Sequence, residues 1–128
     1  MHKTIWNCPS ARWKNPHQAL YSYWFNSDGI YPGSSLGLDA RRETQVVNPA
    51  EMMAIGDSFT GLMGMERKSV ETWEHYGNAR ERHQGKGVVL LCDGNVESPT
   101  LQFLFEDTSD EALSRWNRDH QPHREWLP

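Results

Sequence analysis

Apolar residues run unbroken from Val88 through Cys92, stop at Asp93-Gly94, and give way to an alternation of apolar and polar positions over Asn95-Val96-Glu97. That pattern predicts a β-hairpin, with Asp93-Gly94 as a two-residue type I′ loop because both central positions of such a loop need positive φ. An unbroken apolar run predicts a strand covered on both faces, so the 88–97 hairpin is expected inside a sheet. Tyr21-Ser22-Tyr23-Trp24-Phe25 has the aromatic content of a short strand, and the clusters Asn26-Ser27-Asp28-Gly29 and Pro32-Gly33-Ser34-Ser35 read as turns. Gln45-Val46-Val47 is a candidate short strand or strand edge. Asn48 then caps a helical turn, with Pro49 at its first position and Glu51 reaching back. Met52-Met53-Ala54-Ile55 continue into a buried strand closed by Gly56-Asp57-Ser58.

Residues 59–77 show no sustained period and are expected to form a variable loop, ordered in part by Trp73 and Tyr76. Pro99 marks the end of pairing on the hairpin. Leu101, Phe103 and Phe105 alternate with Gln102 and Leu104, which predicts another strand. Thr108-Ser109-Asp110-Glu111 has the form of a capping box with Thr108 as the cap, and Ala112, Leu113 and Trp116 fall at helical spacing behind it. Residues 1–20 are expected to be irregular, anchored by Trp6, Cys8 and Trp13, and Pro122 keeps the tail from extending the last helix. The fold class that follows is α+β: an antiparallel sheet around a central Asp-Gly hairpin, with a short C-terminal helix against it.

At 128 residues the chain suits one domain, 1–128. A mean hydropathy of -0.78 and the absence of an apolar run near 18 residues exclude a membrane helix, so no membrane contact is expected from this chain alone. A net charge of -4 and a pI near 5.8 argue against a nucleic-acid partner. Arg80, Arg82 and His83 are expected to be a small solvated basic patch. No charged and apolar leader follows Met1, so there is no export signal, and the chain as written is expected in the cytoplasm. Two cysteines cannot make a disulfide scaffold, and neither has the partner spacing of a zinc site.

His83 and Asp93 are the first acid-base candidates, yet a strand of the intervening length spans roughly 30 Å at about 3.3 Å per residue. The two are therefore expected at opposite ends of a strand, His83 as a hydrogen-bonding residue before it and Asp93-Gly94 as its turn. Cys92 beside Asp93, with His83 as a base, defines the alternative of a small hydrolase or metal-dependent enzyme. No cofactor is expected, calcium being the one ion left open by Asp57, Asp93 and Asp107 near strand ends. Asp119-His120-x-x-His123 carries ligand types with no third or fourth partner, so no metal site is assigned. Six tryptophans favour packing and interfaces. An exposed aromatic surface is the basis of a third alternative, a soluble ligand-binding module.

The spacing of His83, nine residues, then Asp93-Gly94 resembles the signature of the prepilin-type, processing-associated family of pilin-like and pseudopilin-like proteins of planctomycete and verrucomicrobial type. Cys8-Pro9-Ser10, Ser22-Tyr23-Trp24-Phe25-Asn26, Asn48-Pro49-Ala50-Glu51 with Ile55-Gly56-Asp57-Ser58, and Arg115-Trp116-Asn117-Arg118-Asp119-His120-Gln121-Pro122-His123 are similar to further elements of that family. The resemblance implies a pseudopilin-like headgroup, not an enzyme, with protein partners or self-assembly as its function and His83, Asp57, Asp93 and Gly94 as its motif residues. For an exported chain it also opens a Cys8–Cys92 bridge. Asn95 stands where family members commonly have His. No counterpart of the long apolar N-terminal anchor helix of pilin-like proteins is expected within this chain.

Overall fold

The computed structural model describes residues 7–15, 21–38, 45–59 and 65–127; Trp6 lies outside them. Four strands, β1 (Tyr23–Phe25), β2 (Met53–Asp57), β3 (Val89–Leu91) and β4 (Val96–Glu97), form an antiparallel sheet in the order β1-β2-β3-β4. Short helices fill the connections: α1 (Val70–Tyr76), α2 (Ala79–Arg82), α3 (Leu101–Phe105) and α4 (Asp110–Ser114), before a final 3-10 turn at Arg124–Trp126. The architecture is α+β, as expected. Among the described residues no helix is long and apolar enough to cross a membrane.

The Asp-Gly hairpin forms, but neither its turn nor its place is the expected one. Leu91 donates its N–H to the Asn95 carbonyl and Gly94 donates to the Leu91 carbonyl, so the loop has three residues, with Gly94 alone at φ 93. A single left-handed glycine closing such a loop suits Asp93 better than type I′, which would force its Cβ into a positive-φ conformation. The hairpin is also half peripheral: β3 lies between β2 and β4, whereas β4 is the outer strand and both its residues are exposed. Within β3, Val89 and Leu91 are buried and Leu90 only partly so, which is burial on one face more than on both.

Four further expectations are corrected by tertiary context. Val46 is buried and Val47 exposed outside any strand, the Val47 N–H donating to the Arg118 carbonyl. Part of 59–77 is the helix α1, capped by Ser69, whose hydroxyl accepts from Thr72 N–H. Leu101 to Phe105 is helical: Thr100 accepts from Phe103 N–H, and the buried residues Leu101, Leu104 and Phe105 stand at the i, i+3, i+4 spacing of a helix face. The cap of α4 is Ser109, which accepts from Ala112 N–H, while the Asp107 carboxylate takes the Ser109 N–H.

The core lies between the sheet residues Met53, Val89 and Leu91, the helical residues Trp73, Leu104, Phe105 and Leu113, and Trp116 in the turn after α4. Phe105 is its hub, with ring centroids 5.7 Å from Phe59, 5.8 Å from Trp73 and 6.1 Å from Trp116. Each such side chain contributes about 1.5–3 kcal/mol when fully buried. A buried polar clamp ties this core to the chain after β1. Asn26, 0% exposed, donates to the Met53 and Trp116 carbonyls, both at 2.8 Å, and accepts from Gly29 N–H. Replacing Asn26 by Ala strands two carbonyls and one N–H in the interior, at roughly 1–3 kcal/mol for each group left unsatisfied. Asn26→Ala is expected to lower unfolding free energy by at least about 3 kcal/mol in urea titration, whereas the exposed Asn95→Ala changes it far less.

Candidate functional site

Cys8, Tyr23, Asp57, Arg82 and His83 come from four separate segments and meet at one end of the sheet. Tyr23 and Asp57 are direct partners across β1 and β2. Arg82 ends α2 and His83 follows it as the C-cap. Cys8 is delivered by an N-terminal segment that Asn78 holds in place: its Oδ1 accepts from Arg12 N–H at 2.8 Å and its Nδ2 donates to the Ser10 carbonyl at 2.9 Å. Trp13 bridges to Gly77, and the Lys14 N–H donates to the Tyr76 carbonyl. The segment is thereby stitched along the junction of α1 and α2.

Arg82 is not part of a solvated basic patch. Its side chain is 0% exposed, and its guanidinium lies 4.4 Å from the Phe59 ring centroid and 4.8 Å from that of Trp13. Arginine tolerates this because its delocalised cation is weakly hydrated and stacks on aromatic faces. Nη1 donates to the Ser58 carbonyl at 3.0 Å and stands 3.9 Å from Asp57 Oδ1. Burial weighs against the Arg82 charge, and the Asp57 carboxylate opposes that shift. Asp57, 1% exposed at its side chain, accepts from Val88 N–H through Oδ2 at 2.8 Å; its Oδ1 has no hydrogen-bond partner and faces Arg82 and His83.

His83 completes the group. Its Nε2 lies 3.4 Å from Asp57 Oδ1 and 3.7 Å from Cys8 Sγ. Tyr23 hydrogen-bonds to Cys8 as well, and its phenol is pushed up, first by burial and then by that bond. The sulfur of Cys8, itself 6% exposed, therefore faces a phenol, an imidazole and, more distantly, the Arg82 cation.

The structure thus joins His83 to Asp57 rather than to Asp93. Asp93 belongs to the hairpin turn at the other end of β2 and β3, where its carboxylate accepts from the Asn95 N–H and Nδ2 and its own N–H donates to the Pro49 carbonyl. Gly94 supplies that turn's left-handed residue, and Cys92 donates its N–H to Met52 beside it. Cys92 and Asp93 are not gathered around His83. Cys8 and Cys92 are not bridged. Asp107 serves Ser109, so Asp57, Asp93 and Asp107 each have separate local tasks. Among the described residues no group of three or more His, Cys, Asp or Glu side chains is placed to hold a metal ion.

In the tail, His123 bridges Asp119 at 2.6 Å and Glu125 at 2.8 Å, and His120 pairs with Glu51 at 3.2 Å.

Sequence reasoning missed Cys8, Tyr23 and Arg82 as members of this site. Cys8, Tyr23, Asp57 and His83 do share one sequence signal, since each lies in a different one of the motif elements quoted above. No family model, curated protein or solved structure matches the chain.

Removing Arg82 leaves Asp57 as an uncompensated buried charge, a loss of about 3–5 kcal/mol when one partner of such a pair is deleted. Arg82→Met is expected to destabilise by that order in chemical denaturation. Adding Asp57→Asn is expected to recover part of the loss, so that the double variant is more stable than the sum of the single effects.

The tail gives a pH-dependent prediction. Partial burial would lower the His123 imidazole, but its bonds to the Asp119 and Glu125 carboxylates outweigh this and hold it above its ordinary value of 6.5. A raised value stabilises the folded tail fully below the unfolded pKa, and the contribution is lost as pH rises through the folded one. Protection of the Trp126 and Leu127 amides, corrected for intrinsic exchange, is expected to fall as pH climbs above 6.5, and His123→Gln is expected to abolish that fall.

Proposed function

We propose that the chain is a non-catalytic headgroup related to pseudopilins, acting by self-assembly or protein binding in a pilus-like or secretion-related system. The placement of exposed large apolar side chains carries the reading. Phe25 and Val96, 44% and 65% exposed, sit on the two outer strands of the sheet. Outer strands present unpaired backbone groups, and apolar residues on them favour pairing with another chain over solvation. Part of the motif is placed inward, in keeping with this division: Asn26, Asp57, Trp116 and Asn117 are buried and spent on holding segments together, while Asp93 and Gly94 lie at the surface. The resemblance on Cys8, Tyr23, Asp57, His83 and Asp93-Gly94 supplies the pseudopilin reading itself.

A second reading, a ligand-binding module, is favoured by one observation. Tyr31 and Trp126 are exposed and stacked, with centroids 5.6 Å apart, at a groove of about 660 Å³ floored by Ile30, Phe105 and Leu127. Grooves of that size with aromatic walls hold small molecules.

Under the headgroup reading, sedimentation velocity is expected to show weight-average mass rising with concentration, or capture of a protein partner. Val96→Lys is expected to weaken either effect at least about tenfold, equivalent to about 1.4 kcal/mol, with the melting temperature near wild type. Association that survives Val96→Lys and Phe25→Lys but is lost in Trp126→Ala would transfer the function to the groove.

A further inference from the structure

Cys8 has the surroundings of a reactive thiol. The Tyr23 phenol and His83 Nε2 both hydrogen-bond to its sulfur, and the Arg82 cation lies beyond them. His83 Nε2 stands between Cys8 Sγ at 3.7 Å, a hydrogen-bonding contact, and Asp57 Oδ1 at 3.4 Å, an ion-pair contact. Asp57 Oδ1 is sealed from water and otherwise without a hydrogen bond. Transfer of the sulfur's proton to the imidazole would set an imidazolium between the thiolate and the Asp57 carboxylate. The charge of the group stays at zero in both forms, because Asp57 and Arg82 already cancel and the new thiolate and imidazolium cancel each other. A thiolate paired with the base that took its proton is the arrangement of an activated nucleophile.

We propose that Cys8 is a covalent modification site whose substrate class is a small disulfide. The Cys8 thiolate attacks one sulfur of the disulfide, the S–S bond breaks, a mixed disulfide forms on Cys8, and the second sulfur leaves as a thiolate that takes up the proton held by His83. No electrons are gained or lost overall, and no other oxidant enters. Cys92 does not resolve the product, since it lies at the Met53 end of the sheet while Cys8 lies at the Asp57 end. The modification therefore persists until an external thiol removes it. This site is independent of the headgroup reading.

The test is reaction of the folded chain with dithiodipyridine, a small flat reagent suited to a sulfur that is 6% exposed, with peptide mapping to separate Cys8 from Cys92. Below the titration range of an ordinary thiol, near 8.5, Cys8 is expected to react at least about tenfold faster than Cys92, with a rate nearly flat in pH. His83→Gln is expected to remove that advantage and restore an ordinary rise with pH; Tyr23→Phe, a milder change, is expected to reduce it. Circular dichroism melting checks that each variant is folded, and the wild-type pH profile decides the matter if His83→Gln is not. Faster reaction of Cys92 at every pH, or a Cys8 rate that climbs tenfold per pH unit towards 8.5, overturns the proposal.

Discussion

The fold turns on one desolvated pair, Arg82 and Asp57. Bringing an arginine and a carboxylate out of water costs several kcal/mol per ion, and at 3.9 Å their attraction repays this only if other groups take up the remaining hydrogen-bonding positions. The groups around the pair come from everywhere in the chain: the Ser58 carbonyl from the end of β2, the Val88 N–H ahead of β3, His83 after α2, and the rings of Trp13 and Phe59 against a guanidinium whose Nε and Nη2 make no hydrogen bond. The charge cannot be buried until these segments are in place. This explains how short strands and helices, none longer than α1, hold a common arrangement. Elements of this length have little stability of their own, so buried polar joints and an aromatic core must set their positions.

Asn26 and Asn117 act by the same logic at the other side of the core. Asn26 binds carbonyls at Met53 and Trp116, and Asn117 accepts from Ile30 N–H while donating to the Leu113 and Gln121 carbonyls. Each side chain replaces backbone ladders that irregular segments cannot form. Polar residues are cheap in such positions only when all their bonds are made. A domain with much loop and little regular structure therefore needs specific asparagines where a more regular fold would use repeating backbone pairing.

Legibility followed the range of the interactions. The strand at Tyr23, the strand through Met53 to Asp57 and the hairpin at Asp93-Gly94 were readable because local pattern and turn chemistry agree there. Leu101 to Phe105 was misread because alternation and helical spacing overlap over five residues: 101, 103, 105 and 101, 104, 105 are both apolar sets. The helical cap at Thr100 decided between them. Arg82 was invisible as a buried residue, since nothing local distinguishes it from Arg80, whose partners Glu71 and Glu74 keep it at the surface. Cys8 and His83 are separated by 74 residues of intervening chain, and no periodicity reports a contact of that range. The motif elements named both residues without indicating that they meet.

The juxtaposition also explains why one set of residues can be structural and still carry chemistry. A buried carboxylate with one oxygen satisfied by Val88 and the other left facing His83 is a strain the fold tolerates because Arg82 neutralises it. His83 Nε2 lies within 3.4 Å of that oxygen and also against the sulfur of Cys8. In a core closed by apolar groups alone Cys8 would be a small hydrophobe, the usual role of a buried cysteine. Beside Tyr23, Arg82 and His83 it stands among polar and charged groups instead.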